Sequence, residues 1–337
     1  MDSENLLTIK NLRTHFSVGE SVVKAVDGVS FNLEAGKTFA IVGESGSGKS
    51  ITALSIMGLL PNNLAQTERG EILFDNKNLI DLEENEMRKI RGNRISMIFQ
   101  EPMTSLNPVY DLSYQISETI ILHQKKSKEQ ARKIAIEMLD LVGIPEPQKR
   151  IDSYPHELSG GMRQRAMIAM ALSCNPKILI ADEPTTALDV TIQAQIIDLM
   201  QELQKKLGMS IIFITHDLGV VSEISDHVMV MYLGNVMEIA ETSELFNNPL
   251  HSYTKSLIDI APQISEEKRK IKVLKGEIPS PINPPSGCVF RTRCPCPTDN
   301  CEKGISKMGL IEAKPGHWVD KCCYESVSYT HLTLPTT

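Results

Sequence analysis

The feature that most constrains this chain is a glycine-rich octapeptide, Gly43-Glu44-Ser45-Gly46-Ser47-Gly48-Lys49-Ser50. The apolar run Thr38–Val42 precedes it and predicts a buried strand, and Ser50–Met57 predicts a helix directly after it. A strand, a glycine turn and a helix in this order form the context of a phosphate-binding loop. The alternative, a flexible loop that matches by chance, does not account for these flanking elements.

The residue types of the octapeptide suit a bound triphosphate. Glycines allow the backbone to bend sharply and to turn its N–H groups toward an anion. Lys49 supplies a positive charge for the β- and γ-phosphates, and the hydroxyl of Ser50 is a ligand for Mg²⁺. The predicted nucleotide-binding residues here are Gly43, Glu44, Ser45, Gly46, Ser47, Gly48, Lys49, Ser50 and Ile51.

Composition and charge limit which cell compartment and which class of partner are expected for this chain. The net charge over 337 residues is −7 and no long basic run occurs, which argues against nucleic acid as a partner. No apolar run approaches the length that crosses a bilayer, and the acidic N-terminus lacks a secretion signal. We therefore expect a cytoplasmic chain, whose cysteines serve as thiols or metal ligands rather than as disulfides.

The segments around the phosphate loop alternate apolar and polar residues. Leu7–Leu12 and Val29–Leu33 predict strands of an antiparallel sheet, and Gly70–Leu79 predicts a further strand pair. Phe16 lies between the first two, in a polar, turn-like stretch. An aromatic ring at this place can stack on adenine. A buried core position is the alternative for this side chain.

Two later strands lead to polar residues suited to phosphate chemistry. The strand predicted at Arg94–Phe99 ends at Gln100, which can bind Mg²⁺ and orient water. The apolar strand predicted at Lys177–Ala181 ends at two carboxylates. Asp182 can hold Mg²⁺ through water, and Glu183 can polarise a water molecule that attacks the γ-phosphate.

Three further segments carry helix or strand signals, and two of them supply candidate site residues. A buried strand at Met209–Thr215 leads to His216, a candidate contact for the γ-phosphate. Residues 111–142 predict helices with Ser127 as an N-cap. Within Tyr154–Arg165, a serine and two glycines begin an amphipathic helix and form a second N-terminus able to receive phosphate.

Together these motifs resemble the nucleotide-binding subunit of an ABC transporter over roughly residues 6–250. The resemblance is carried by the phosphate loop, Gln100, Leu158-Ser159-Gly160-Gly161-Met162, Ile178–Glu183, Ala187-Leu188-Asp189 and His216. The fifth signature position normally holds Gln and here holds Met162. This departure is mild, because Ser159 and the backbone are implied to make the phosphate contact.

Phe99–Pro108, Tyr154–Arg165 and a cysteine-bearing C-terminal segment resemble, more narrowly, the oligopeptide/dipeptide importer subfamily. The implied α/β fold is a RecA-like P-loop NTPase core with an antiparallel β subdomain and a helical subdomain at about residues 106–165. A small Cys-rich extension at residues 251–325 follows the nucleotide-binding domain at 1–250. The implied activity is ATP hydrolysis coupled to import of peptides, or of nickel or another small solute.

The resemblance also implies partners and residue roles. ATP lies between Lys49 of one ATPase subunit and Ser159-Gly160-Gly161 of a second, related but different chain. Two permease subunits contact the loop Gln100–Pro108, an extracytoplasmic binding protein delivers the solute, and the chain sits peripherally on the cytoplasmic face of the membrane. The implied catalytic residues are Glu183, His216 and Gln100, the Mg²⁺ ligands are Ser50, Gln100 and Asp182, and Asp189 belongs to the D-loop.

Six of the seven cysteines lie at or after Cys288. Four thiolates in a loop-rich segment can hold iron–sulfur or zinc, and reduced cysteines in a small core are the alternative. The subfamily resemblance implies a [4Fe-4S] cluster on Cys288, Cys294, Cys301 and Cys322. Cys323 competes for the last position, and Cys296 is expected to be a spectator.

Two other functions agree less well with the sequence. A soluble mechanical ATPase needs a long coiled-coil arm or a second fused ATPase unit, and neither pattern occurs in the sequence. A non-hydrolysing nucleotide sensor conflicts with the presence of Glu183 and His216. The Thr-rich stretch at residues 326–337 fits no element before it and is expected to be disordered or non-native.

Overall fold

The computed structural model describes residues 5–61, 65–100, 105–186, 188–260, 274, 276–297, 301 and 309–321. The strands are β1 Asn5–Val18, β2 Ser21–Glu34, β3 Thr38–Val42, β4 Ala65–Phe74, β5 Lys77–Asn78, β6 Ile95–Ile98, β7 Ile178–Asp182, β8 Ser210–Thr215, β9 His227–Tyr232, β10 Asn235–Glu241, β11 Leu310–Lys314 and β12 His317–Asp320. The helices are α1 Lys49–Met57, α2 Glu84–Ile90, α3 Leu112–Gln124, α4 Lys128–Leu141, α5 Pro147–Arg150, α6 Gly160–Leu172, α7 Val190–Leu207, α8 Leu218–Ile224, α9 Thr242–Asn247 and α10 Ser252–Ile260. None of the helices in these ranges combines the length and apolarity that crossing a membrane requires.

The chain divides into two compact units. One contains the described parts of residues 7–32, 39–77 and 215–337, and the other contains those of 1–6, 33–38 and 78–214. The phosphate loop and the C-terminal segment therefore belong to the same unit. The segments that carry Gln100, Ser159 and Glu183 belong to the other.

The unit with the phosphate loop contains an antiparallel sheet in the order β2-β1-β4-β5. In this sheet Leu7 lies opposite Phe74. The prediction of a turn around Phe16 was wrong, because β1 continues to Val18. The strand tolerates polar residues there because the buried hydroxyl of Thr14 is satisfied by Ser55 Oγ at 2.8 Å.

The same unit holds the strands that lead to and flank the phosphate loop. They follow the order β11-β12-β10-β9-β3. Strand β3 runs parallel to β9, and the β9–β10 and β10–β12 pairs are antiparallel. Gly234 lies in the turn between β9 and β10. All five residues of β3 are buried, as its apolar sequence predicted.

The other unit contains a parallel sheet in the order β6-β7-β8 together with helices α2 to α7. All residues of β7 and β8 are buried, which agrees with their apolar sequences. The predicted N-cap at Ser127 is confirmed. Its hydroxyl accepts a hydrogen bond from the backbone N–H of Gln130, whose side chain returns a bond to the backbone of Ser127.

Candidate functional site

Two glycines fix the path of the phosphate loop. Gly43 has φ +153° and Gly48 has φ +102°. A Cβ atom at Gly43 would lie 2.2 Å from the carbonyl oxygen of Met231, and one at Gly48 would lie 2.3 Å from that of Ala25. No other residue fits at either position, since both the backbone conformation and the neighbouring backbone exclude a side chain.

Lys49 is bound to the backbone of its own loop. Its buried ammonium group donates to the carbonyl oxygens of Gly43 at 2.7 Å and Glu44 at 3.0 Å. The charge is therefore already located at the loop. In the remaining loop Ser45 and Gly46 are exposed at the tip, Ser47 is buried, and Ser50 and Ile51 are half-buried at the start of α1.

Glu44 is bound by residues that sequence reasoning did not identify. Its carboxylate receives two hydrogen bonds from Arg293, and its backbone N–H donates to the hydroxyl of Tyr253 at 3.0 Å. The hydrogen bond to Glu44 raises the pKa of Arg293, and burial raises the pKa of Tyr253. No short-range pattern in the sequence reveals these contacts.

His216 and the first residues of the phosphate loop line one cavity. It has a volume of about 330 Å³. Its wall consists of Val42, Gly43, Glu44, His216, Asp217, Leu218, Leu257 and Ile260. The imidazole of His216 is exposed at the end of β8. The structure thus brings His216 to the phosphate loop, as expected for a contact with bound phosphate.

Phe16 is half-buried on β1. Stacking of its ring on adenine stays a prediction.

In the other unit, Glu183 is oriented by two side chains. Its Oε2 accepts hydrogen bonds from Gln100 Nε2 at 3.0 Å and from Thr186 Oγ1 at 2.9 Å. Glu183 itself has φ +46°, a conformation that a residue other than glycine seldom adopts. Its N–H donates to the carbonyl oxygen of Ile214 at 2.9 Å, which holds this conformation in place. Such strain is concentrated at functional sites.

Asp182 immediately precedes this arrangement. It is the last residue of β7 and its carboxylate is buried, as the prediction of a strand-end carboxylate required. Gln100 lies two residues beyond β6 and is exposed. Its amide nitrogen binds Glu183, which leaves the amide oxygen as the atom suited to a cation. The following residues of the predicted loop, 101–104, lie outside the described ranges.

The signature segment begins helix α6. Ser159 is its N-cap and accepts a hydrogen bond from the backbone N–H of Met162 at 3.3 Å, so the predicted helix start is confirmed. Leu158 is buried, whereas Ser159 and Gly160 are exposed. Gly161 faces Ile192, because a Cβ atom added there would lie 3.1 Å from the Ile192 Cγ2 atom.

A buried glutamine joins the signature helix to the segment after Glu183. Gln164 Nε2 donates to the carbonyl oxygen of Pro184 at 2.5 Å. The sequence motif contains Gln164, but its partner could not be inferred from spacing. Asp189 caps helix α7 by accepting a bond from Ile192 N–H at 2.9 Å, and Ala187 lies outside the described ranges.

The C-terminal cysteines divide by burial. Cys288 and Cys301 are buried in one apolar cluster, Cys294 packs against it, and Cys296 is exposed. Cys322 and its rival Cys323 lie outside the described ranges, as do residues 326–337. Within those ranges no three His, Cys, Asp or Glu side chains are grouped so as to hold a metal ion. The described thiols therefore do not support an iron–sulfur centre, and the four-cysteine ligand set stays a prediction.

Comparison with known protein families agrees with this arrangement. The ABC transporter family matches residues 26–186, and the family described as the oligopeptide/dipeptide transporter, C-terminal region, matches residues 237–301. The oligopeptide transport ATP-binding protein AppD of Bacillus subtilis is 52% identical over 95% of this chain and 97% of its own. The dipeptide transport ATP-binding protein DppD of the same organism is 53% identical over 87% of each chain.

Solved structures confirm the predicted fold class. The ATP-binding cassette MJ0796, in a dimeric post-hydrolysis state bound to ADP and Pi, superposes with a TM-score of 0.63 at 31% identity, over 70% of this chain and 98% of its own. The protein cbiO1 of Clostridium perfringens, part of the ABC transporter complex cbiONQ, gives a TM-score of 0.61 at 31% identity, over 73% of this chain and 92% of its own. The chain therefore belongs to the ATP-binding subunits of ABC transporters, in their oligopeptide/dipeptide branch.

Proposed function

We propose that this chain hydrolyses ATP to power an importer of dipeptides or oligopeptides. The observation that carries the proposal is the orientation of Glu183 at the end of a buried strand by Gln100 and Thr186. The relatives named for oligopeptide and dipeptide transport support the class of solute. Nickel or another small solute is the alternative cargo.

The phosphate loop supplies binding. The ammonium of Lys49, now shared between two loop carbonyls, can transfer its hydrogen bonds to the β- and γ-phosphates when ATP enters. The N-terminus of α1 adds backbone N–H groups and a favourable dipole for the anion. Phe16 stacks on the adenine, and His216 contacts the γ-phosphate. These residues bind the substrate without taking part in proton transfer.

The donor set predicted for Mg²⁺ suits that ion chemically. Ser50, Gln100 and Asp182 offer a hydroxyl, an amide oxygen and a carboxylate, and Mg²⁺ prefers oxygen ligands. The buried carboxylate of Asp182 at the end of β7 agrees with a role toward a cation. When bound, Mg²⁺ neutralises charge that develops on the phosphates.

Glu183 acts as the base or polarising group for the attacking water. The bonds from Gln100 and Thr186 to one carboxylate oxygen restrict rotation of the carboxylate. Together with the strained backbone they fix the direction of the carboxylate before substrate binds. Preorganisation of this kind lowers the cost of reaching the transition state.

The complete site includes a second ATPase subunit. In this proposal Ser159-Gly160-Gly161 of the mate covers the triphosphate bound at Lys49, and a related but different chain supplies that mate. Two permease subunits bind near the loop Gln100–Pro108, on the cytoplasmic face of the membrane. Phe99, Tyr110 and Tyr114, which flank this loop in the sequence, are exposed and suit such a contact.

The soluble mechanical ATPase, considered as an alternative, gains no support. The longest helix in the described ranges is α7, with 18 residues, and no coiled-coil arm occurs there. Copurification distinguishes the two functions, because only a transporter subunit copurifies with permeases in stoichiometric amounts.

The substitution Glu183→Gln tests the catalytic assignment. The amide keeps the shape and the contacts of Glu183 but loses the basicity, so we expect ATP binding at wild-type affinity with turnover reduced by a factor on the order of 10²–10⁴. ATP affinity and phosphate release measured on the same preparation check this. Hydrolysis near the wild-type rate would remove Glu183 from its role.

A further inference from the structure

The C-terminal segment contacts the phosphate loop through an ion pair. Arg293 Nη1 lies 2.5 Å from Glu44 Oε2, and Nη2 lies 3.1 Å from Oε1. The guanidinium thus holds the carboxylate with two parallel hydrogen bonds, the geometry that gives such pairs their strength and direction. Arg293 is only 5% exposed and Glu44 is 29% exposed. The pair is therefore shielded from water far more than an ordinary surface salt bridge.

Tyr253 binds the same residue twice. The backbone N–H of Glu44 donates to the Tyr253 hydroxyl, and that hydroxyl donates to Glu44 Oε2 at 3.3 Å. Tyr253 is fully buried near the start of α10. Backbone and side chain of Glu44 are thus both held by residues that follow the β9–β10 hairpin in sequence.

A rigid aromatic group supports these two side chains. The guanidinium of Arg293 lies 5.7 Å from the centre of the Tyr232 ring, a distance suited to a cation–π contact. Tyr232 packs edge-on against Tyr253 and Phe290, with ring centres 4.9 Å and 5.3 Å apart. All three rings are buried, so Arg293 and Tyr253 have little freedom to leave Glu44.

The location of Glu44 gives these contacts a consequence for ATP. Glu44 is the second residue of the phosphate loop, and its carbonyl oxygen also accepts a hydrogen bond from Lys49. A carboxylate at this position repels a triphosphate unless a cation neutralises it. Arg293 supplies that cation from outside the loop and holds the carboxylate to one side.

We propose that Arg293 and Tyr253 are positioning residues for ATP binding, through which the C-terminal segment neutralises and anchors Glu44 in the phosphate loop. The inference rests on the proposed role of this loop in binding ATP. Arg293 and Tyr253 lie outside the nucleotide-binding motifs, yet they are expected to change the affinity for ATP. Neither residue touches the reacting atoms, so we expect the effect in KM and Kd rather than in kcat.

The test compares Arg293→Met with Arg293→Met/Glu44→Gln in the full-length chain, with ATP affinity as the readout. In the single variant Glu44 is left uncompensated, and we expect ATP to bind at least tenfold more weakly, with a deficit that shrinks as salt is added. In the double variant the repulsion is gone, and most of the lost affinity should return. A purely structural role predicts no such rescue.

Tyr253→Phe keeps the buried ring and removes only the hydroxyl. We expect a two- to tenfold loss of ATP affinity, the range that one hydrogen bond of ordinary net strength is worth, at unchanged kcat. This variant retains its packing and remains informative if Arg293→Met does not fold. Wild-type affinity, or tighter binding, in Tyr253→Phe together with no rescue by Glu44→Gln would overturn the proposal.

Two controls separate this inference from the proposed function. Arg291→Met removes a guanidinium two residues away that binds Ser286, and it should leave ATP affinity unchanged. Lys49→Ala should abolish binding if the loop holds the triphosphate at all. If the wild-type chain fails to bind ATP, the proposed function is contradicted. If the wild-type chain binds ATP and the Arg293 and Tyr253 variants bind it equally well, only the inference about these two residues is contradicted.

Discussion

Thr186 contributes a single hydroxyl to the candidate catalytic group. It donates to the same oxygen of Glu183 that Gln100 binds, and thereby restricts rotation of the carboxylate. Thr186→Val keeps the shape of the side chain and removes this bond. Because the orientation of a base affects the chemical step, we expect kcat to fall about tenfold while ATP affinity stays unchanged. Steady-state kinetics over a range of ATP concentrations measure both quantities.

Thr186→Ser is the matched control, since it restores the hydroxyl and loses only a methyl group. It should recover most of the rate. Equal losses in the valine and serine variants would mean that packing, and not the hydrogen bond, explains the effect.

At the scale of single residues, chemistry could be predicted from the sequence but contacts could not. Asp182 and Glu183 were identified because two carboxylates follow an apolar strand. The left-handed conformation of Glu183 depends on its bond to Ile214, which no local pattern encodes. Arg293 and Glu44 are 249 residues apart, so their pairing depends on the tertiary structure alone.

At the scale of elements, two helices begin with a serine N-cap, one within the candidate site and one outside it. Comparing the two serines separates the capping role from a role in ATP binding. Ser127 caps α4 in a capping box, and Ser159 caps α6 at the signature segment. Ser127→Ala should lower the free energy of unfolding by about 1 kcal/mol and leave ATPase activity unchanged. Chemical denaturation and phosphate release measured on one preparation test this expectation.

Ser159→Ala removes a cap of the same type, so a similar cost in stability is expected. Its effect on ATPase activity should be far larger than that of Ser127→Ala. In the proposed site the Ser159 hydroxyl contacts the phosphate of the ATP that is bound to the phosphate loop of the second subunit. If the two variants lose activity equally, Ser159 has no role beyond capping.

The elements themselves followed well from the sequence. Apolar runs predicted β3, β7 and β8, because strands buried on both faces need continuous apolar residues. Helix α7 ends at Leu207, where Gly208 caps it in the left-handed conformation. The extension of β1 through Phe16 was missed, because buried polar residues such as Thr14 interrupt the apolar pattern.

At the scale of the folded molecule, a buried and hydrogen-bonded carboxylate connects the C-terminal strands. Glu238 on β10 accepts hydrogen bonds from His317 on β12 at 2.7 Å and from the backbone N–H groups of Leu250 and His251. Burial alone would raise the pKa of Glu238, but these hydrogen bonds outweigh it and the pKa is lowered. The folded state therefore favours the ionised carboxylate.

This lowered pKa predicts a stability that declines in acid. A carboxyl group with a depressed pKa in the folded state stabilises the fold fully above its unfolded pKa, about 4.3 for glutamate. The contribution is lost as the pH falls through the lower folded value. Glu238→Gln should cost about 3 kcal/mol near neutral pH, because it removes a buried carboxylate that accepts three hydrogen bonds. The difference from wild type should narrow below about pH 4.

Urea denaturation of both proteins at several pH values checks this prediction. Glu238 and His317 are among neither the nucleotide-binding nor the catalytic candidates. ATP affinity at neutral pH therefore serves as a control for correct folding. A gap between the two proteins that is constant from neutral to acid pH would contradict the assignment.

The central claim concerns the assembled transporter, in which ATP lies between the phosphate loop of one ATPase subunit and the signature segment of the other. The most direct measurement uses an ATP analogue with a photoreactive group on its γ-phosphate, bound to the complex that carries Glu183→Gln. After illumination, peptide mapping identifies the labelled segment. We expect label on Ser159–Met162 of the subunit opposite the one whose Lys49 holds the nucleotide. Label confined to a single subunit, or absent from the signature segments of both, would contradict it.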